Sequence, residues 1–339
     1  MELKRVGLDL AKNVFQVHGV DGQEVVRCRR QLRRSEVLKF FAGRPPCLIG
    51  MEACAGAHYW ARELAKLGHT VKLMAPQLVK PYIKSQKNDA NDAEGICEAV
   101  GRPNMRFVPV KTVAQQEVQT AHRIRSELIG QRTAKANQIR GLLAEFGVVV
   151  ERRIEVLRRA LPQLLEEEAG NGLGAAARRL LEGLRGDLVQ LDERVGALDR
   201  EIKQVAKEDA ACVRLQTIPG IGPLTASALV SAVGDGRQFK NGRQLAAWVG
   251  LVPKQDSSGG KTRLLGISKH GDSYLRTLLI HGARAVQQAC ATKTDVRSHW
   301  LRELGTRRHR NIAAVALANR NARIAWVLLT RGQTYRTPA

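Results

Sequence analysis

Aromatic side chains make up only 4% of these 339 residues. That scarcity argues against extensive stacking on nucleic-acid bases. Acid is short as well: 32 Asp and Glu face 55 Lys and Arg, a formal net charge of +23. A surplus so large points to a polyanionic partner, because neutralising phosphates releases counterions; the plainer reading is a merely basic protein. The six cysteines, Cys28, Cys47, Cys54, Cys97, Cys212 and Cys290, form no C-x-x-C pair. Neither a zinc site nor a disulfide framework is indicated, and reduced thiols in a cytosolic protein are the simple account. Long uncharged runs are missing too. The most apolar stretch, Ile312 to Leu329, is broken by Arg320 and Arg323 and reads as a core helix, so no membrane is expected. The opening residues run straight into a strand-like segment and do not read as a signal peptide.

The length suits two or three domains. Residues 1–112 alternate strand-like and helix-like segments. Arg5 to Leu10, Val14 to Val20 and Glu24 to Arg30 form a meander separated by Lys12-Asn13 and Asp21-Gly22. An apolar run at Cys47 to Met51, a helical pattern over His58 to Leu67 and a strand at Thr70 to Met74 follow. This order predicts an α/β domain, a mixed sheet with flanking helices. Residues 113–205 read as a basic helical, coiled-coil region. Helix is predicted from Val113 to Phe146, carrying Arg123, Arg125, Arg132, Lys135 and Arg140. After Gly170 to Gly174 comes a heptad seam of Leu184, Leu188, Leu191, Val195, Leu198, Ile202 and Val205. The seam predicts a coiled-coil pairing, within the chain or between chains, and so favours a dimer; synapsis of two duplexes would suit a tetramer. Residues 206–339 read as a mostly α C-terminal domain. They hold 21 Lys and Arg against 7 Asp and Glu, so 14 of the 23 excess charges lie there. That domain is the expected nucleic-acid grip.

Four carboxylates stand out. Asp9 ends the apolar phrase Val6-Gly-Leu-Asp9, Glu52 ends Leu48-Ile-Gly-Met-Glu52, and Asp89 and Asp92 share a helix face within Lys87 to Ala93. Gathered together they would repel, and a divalent cation removes the conflict; oxygen ligands suit Mg²⁺ or Mn²⁺. Two such ions about 4 Å apart serve phosphodiester chemistry. Singly, each acid could be a structural cap. Thr217-Ile-Pro-Gly-Ile-Gly222 reads as a helix–hairpin–helix turn whose Gly220 and Gly222 amides face a phosphate, or as a plain connector. Gly250 to Arg263 carries Ser257 and Ser258 among Lys254, Lys261 and Arg263. Its Gly259-Gly-Lys-Thr262 imitates a P-loop, yet Gln255 stands at the first glycine position. On spacing alone it is a flexible, solvated polar loop.

Together these residues resemble one known family, the RuvC-like DEDD transposases of the IS110 group of insertion sequences. The matching phrases are Gly7-Leu-Asp-Leu-Ala-Lys12, Met51-Glu-Ala53, Asn88-Asp-Ala-Asn-Asp-Ala93 and Asn137-Gln-Ile-Arg-Gly-Leu-Leu143. Ile218-Pro-Gly-Ile-Gly222, Ala247-Trp-Val-Gly-Leu-Val-Pro253, Ser257-Ser-Gly-Gly260 and Ile267-Ser-Lys-His-Gly271 continue in family order. The phrase at Asn137 is most similar to the IS1111 subgroup. The resemblance implies a ribonuclease-H-like (RuvC-like) fold with Asp9, Glu52, Asp89 and Asp92 as metal ligands, and a nucleophilic serine carried to Ser258, with Ser257 its neighbour. It implies a composite active site across subunits, a covalent phosphoserine–DNA intermediate, and a structured guide (bridge) RNA of the element. DNA contacts are expected at Gly220, Gly222, Lys254, Lys261, Arg263, Lys269, Arg132 and Arg140, in a bacterial cytoplasmic, nucleoid-associated enzyme. The competing reading is a junction-resolving endonuclease that uses the same acids to activate water; a non-catalytic basic scaffold is the third.

Overall fold

The computed structural model describes residues 2–84, 88–166 and 170–336, so Lys87, which opens the acidic phrase, lies outside the described residues. The chain divides into two compact units, Met1–Val113 with Gly236–Lys240, and Ala114–Asp235 with Asn241–Ala339.

In the first unit the strands are β1 (Arg5–Leu10), β2 (Val14–Val20), β3 (Val26–Arg33), β4 (Leu48–Glu52), β5 (Thr70–Met74) and β6 (Phe107–Val108). The helices are α1 (Val37–Ala42), α2 (Ala57–Lys66), α3 (Pro76–Val79) and α4 (Asp89–Val100). The sheet order is β3-β2-β1-β4-β5-β6, with β1, β4 and β5 parallel and the others antiparallel. The mixed sheet with helices on its faces is therefore as expected. The third strand starts later than the sequence suggested. Asp21 Oδ1 accepts from the Gln23 and Val25 amides and Glu24 is left-handed at φ 63°, so a turn occupies the residues before Val26.

Alternation along β1 sends Val6 and Leu8 to one face, into a core with Phe15, Ile49, Met51, Trp60 and Leu64. Gly7 and Asp9 point to the opposite face, where α4 lies. A Cβ on Gly7 would collide with the Ala93 carbonyl and the Cys97 backbone nitrogen, and one on Gly50 would sit 2.7 Å from Val100 Cβ. The two glycines are register partners across β1 and β4. Their missing side chains let α4 come down onto the strands.

The second unit is helical apart from one hairpin. Its elements are α5 (Val113–Glu145), α6 (Ile154–Leu164), α7 (Ala175–Glu208), α8 (Ala210–Gln216), α9 (Pro223–Val233), α10 (Gly242–Trp248), β7 (Pro253–Gln255), β8 (Leu264–Ile267), α11 (Ser273–Ala289), α12 (Val296–Arg307) and α13 (Arg310–Arg331). Helices α5 and α7 run antiparallel, because Arg125 pairs with Asp199, Arg132 with Asp192 and Lys135 with Asp187. The heptad seam closes inside the chain: Leu191 and Val195 pack with Leu128, and Leu188 joins Ala136, Ile139, Leu143 and Leu161. It consequently supplies no argument for a second copy.

Helix α13 is long and apolar enough to cross a membrane by composition, but half of its most apolar window is buried inside the fold. Ala314, Leu317, Ala318, Ala322 and Ala325 are fully covered, as a core helix requires. A buried polar cluster ties α5, α9 and α11 together. Ser227 Oγ donates to the Pro223 carbonyl (2.8 Å), so its lone pair accepts from His122 Nε2 (2.9 Å). His122 Nδ1 in turn accepts from the Tyr274 hydroxyl at 2.9 Å. Burial, followed by the charge of Arg125, pulls the His122 imidazole down to about 4, so it is neutral in the folded protein.

Candidate active site

Asp9 and Glu52 each stand two residues beyond the register pair Gly7–Gly50, on the strand face that α4 covers. Asn88 caps α4 by accepting from the Asn91 amide at 2.8 Å, which sets Asp89 and Asp92 in the first helical turn. One carboxylate oxygen from each of Asp9, Asp89 and Asp92 lies within 4.8 Å of the others. Glu52 stands outside this tight trio, on the neighbouring strand. The pKa of the Cys54 thiol is pushed up first by burial and then by Glu52 and Asp9, so both carboxylates act at one place beside it.

The helix N-terminus favours Asp89 and Asp92 electrostatically. It does not account for Asp92 Oδ1, which is buried with no hydrogen-bond partner among the described residues. A buried, unpaired carboxylate oxygen is costly. A hard divalent cation shared with Asp9 and Asp89 would remove both that cost and the mutual repulsion, and the all-oxygen donor set fits Mg²⁺ or Mn²⁺. Gly7 and Gly50 were the legible signal for this geometry that residue-by-residue reading missed: each precedes an acid by two.

In the second unit the serine segment is a β-hairpin, not the flexible loop that its composition suggested. Strands β7 and β8 pair antiparallel, Ser258 bridges Lys261, and Gly259 and Gly260 form the tip at φ 55° and 76°. Ser257 Oγ is engaged, accepting from Gln255 Nε2 (2.9 Å) and the Arg263 amide (3.1 Å). Ser258 is exposed, and its hydroxyl has no partner among the described residues. Lys254, Lys261 and Arg263 are exposed along the same hairpin. At the base, Gly250 and Gly271 leave no room for a Cβ against the His270 and Trp248 carbonyls, and Lys269 adopts a left-handed φ of 56°. The two family phrases that flank the hairpin thus form its closely packed base.

The turn from Thr217 to Gly222 joins α8 to α9. Gly220 packs on α11, where a Cβ would lie 2.9 Å from the Gly282 carbonyl, while Gly222 is exposed at the start of α9. Asn321 Nδ2 donates to the Pro219 carbonyl at 3.0 Å, fixing the turn to α13. Arg132 and Arg140 are held within the fold. Arg132 pairs with Asp192, and Arg140 donates to the Glu151 and Arg152 carbonyls at 3.0 and 2.7 Å.

Two known families match the chain, the first running past the unit boundary at Val113 to the end of α5. Residues 6–147 match the family described as the DEDD transposase domain of IS110, and residues 212–298 that described as transposase IS116/IS110/IS902. A "probable family 20 transposase" of Pseudomonas aeruginosa is 56% identical, the match covering 99% of each chain. The transposase for insertion sequence element IS1111A of Coxiella burnetii is 48% identical over 100% of this chain and 93% of its own. The transposase for IS1328 of Yersinia enterocolitica is 42% identical over 97% and 98%.

Proposed function

We propose DNA strand cleavage and exchange through a serine ester as the reaction of this chain, which belongs to the IS116/IS110/IS902 family of transposases and within it to the IS1111 subgroup. The sheet order and the carboxylate positions support reading the first unit as a RuvC-like, ribonuclease-H-like domain. The observation that carries the reading is the trio Asp9, Asp89 and Asp92 with the unpartnered Asp92 Oδ1.

These three side chains, with Glu52 beside them, would hold Mg²⁺ or Mn²⁺. Bound there, the cation supplies positive charge to the phosphate oxygens at the reacting phosphodiester. Ser258 Oγ is the nucleophile: it forms an ester to phosphorus, one phosphorus–oxygen bond to deoxyribose breaks, and the leaving oxygen takes up the proton. Rejoining is the reverse attack by another deoxyribose hydroxyl. The ester conserves the bond energy, so no nucleotide cofactor is needed. Lys254, Lys261 and Arg263 neutralise the phosphate around the serine, and the exposed Gly222 amide at the start of α9 offers a backbone contact in a helix–hairpin–helix manner. A structured RNA from the element serves as guide, in keeping with the basic surplus of the chain.

The test is trapping on a labelled element junction with Mg²⁺ and the element's RNA. A denaturation-resistant protein–DNA adduct, lost in both Ser258→Ala and Asp9→Asn, supports the ester. Cleavage that survives Ser258→Ala without an adduct means hydrolysis by activated water, the junction-nuclease alternative.

A further inference from the structure

The chain holds only 4 Trp and 4 Tyr. Two of those tryptophans and one tyrosine nevertheless meet at a single open pocket of about 780 Å³ in the second unit. Trp300 comes from α12, Trp326 from α13, and Tyr335 from the segment after α13. Three arginines, Arg243, Arg320 and Arg323, line the same pocket, and no acidic residue does. The Arg320 guanidinium lies over the Trp300 ring at 5.4 Å, extending a planar, cationic stacking surface.

The tyrosine wall is fixed in place. Buried Arg297 donates to the Tyr335 hydroxyl and stacks on its ring at 5.0 Å. The Tyr335 amide donates to Thr217 Oγ1 at 2.9 Å, at the head of the α8–α9 turn. Packing alone does not explain this arrangement. A core would bury the aromatics fully, yet Trp300, Trp326 and Tyr335 all stay partly open, and Arg243 and Arg323 are exposed.

We infer that this pocket captures one unstacked nucleotide of a single-stranded nucleic acid. The base stacks on the surface that the aromatic rings and the Arg320 guanidinium form together, and its phosphates meet Arg243 and Arg323. Flat π surfaces accept any base, whereas a paired base inside a duplex cannot reach them. The volume suits one nucleotide. This inference shares with the proposed function the premise that nucleic acid is the partner, but it is independent of Ser258 and of the metal.

The test uses the full chain and fluorescence anisotropy with three probes of one sequence: a single-stranded deoxyribonucleotide, its ribonucleotide counterpart, and the DNA duplex. Trp300→Leu and, separately, Tyr335→Leu should weaken single-strand binding about ten-fold while leaving duplex binding within about two-fold. Trp300→Phe should restore most of the loss. The tighter of the two single strands identifies whether DNA or RNA is the source of the nucleotide. Photocrosslinking of a 5-iodouracil-bearing strand should label peptides containing Trp300, Trp326 or Tyr335. Wild-type affinity in both Leu variants, or crosslinks only elsewhere, overturns the inference. A wild-type chain that binds duplex but no single strand overturns it and leaves the DNA-binding premise standing; binding to neither removes both.

Discussion

Gly7 and Gly50 pair with each other across β1 and β4, and α4 rests on both. Their contacts differ in depth. A Cβ at Gly7 would lie 2.1 Å from the Ala93 carbonyl oxygen and 2.4 Å from the Cys97 nitrogen, whereas one at Gly50 would lie 2.7 Å from Val100 Cβ. Gly7→Ala should therefore cost about 1–3 kcal/mol and abolish metal-dependent activity, with Gly50→Ala the milder change. Urea unfolding beside junction cleavage measures both; equal effects at the two positions would contradict the account.

The carboxylate trio predicts opposite responses with and without metal. Asp9→Asn relieves repulsion, so the metal-free variant should be at least as stable as wild type. Mn²⁺ should raise the melting temperature of wild type by mass action and leave Asp9→Asn unmoved. A metal-induced shift of equal size in both would show that the ion binds elsewhere.

The two serines should separate cleanly. Ser258→Ala removes a hydroxyl with no partner among the described residues, so stability should change by less than about 0.5 kcal/mol while the DNA adduct disappears. Ser257→Ala loses two accepted hydrogen bonds and should loosen the hairpin by about 1 kcal/mol, yet still form adduct. The reverse assignment would appear as adduct lost only in Ser257→Ala.

His122 makes stability depend on pH. Its folded value is about 4 against an ordinary 6.5. The unfolded chain therefore binds the proton first, and the contribution is full above pH 6.5 and lost as pH falls toward 4. The amount is about 3 kcal/mol. Unfolding free energies between about pH 4 and 7 should show this slope in wild type and a shallower one in His122→Gln.

Because the heptad seam closes within one chain, Leu191→Ala should destabilise by about 2–5 kcal/mol. The loss should be the same at low and high protein concentration. A concentration-dependent melting shift would mean that the seam also joins two chains.

Much of the first unit was legible from residue order. The strands at Arg5–Leu10, Val14–Val20 and Thr70–Met74 stand as β-formers between turn residues, and the structure keeps those limits. Asp89 and Asp92 were readable as one face because their spacing of three is a helical neighbour distance. The hairpin was not readable: Pro253 to Gln255 are exposed on both faces, so no alternation marks a strand, and backbone pairing with two left-handed glycines makes the fold. Charge was visible, but its partner was not. Arg132, expected at nucleic acid, pairs with Asp192, 60 residues away, a partner that no local pattern announces. Trp300, Trp326 and Tyr335 are likewise too far apart in sequence to suggest one pocket.

The α5–α7 pair is clasped at two places along its length, once where Ile139 and Leu143 share a core with Leu181 and Leu188 and once around Leu128, Leu191 and Val195. Two separate clasps hinder both sliding and splaying, so the pair is a strut rather than a tether. Its helices have 33 and 34 residues, which at the helical rise makes the strut about 50 Å long. Along a duplex that is the span of about 15 base pairs. The span is written in residue count: each heptad added to both helices would lengthen the strut by about 10 Å and leave the seam in register.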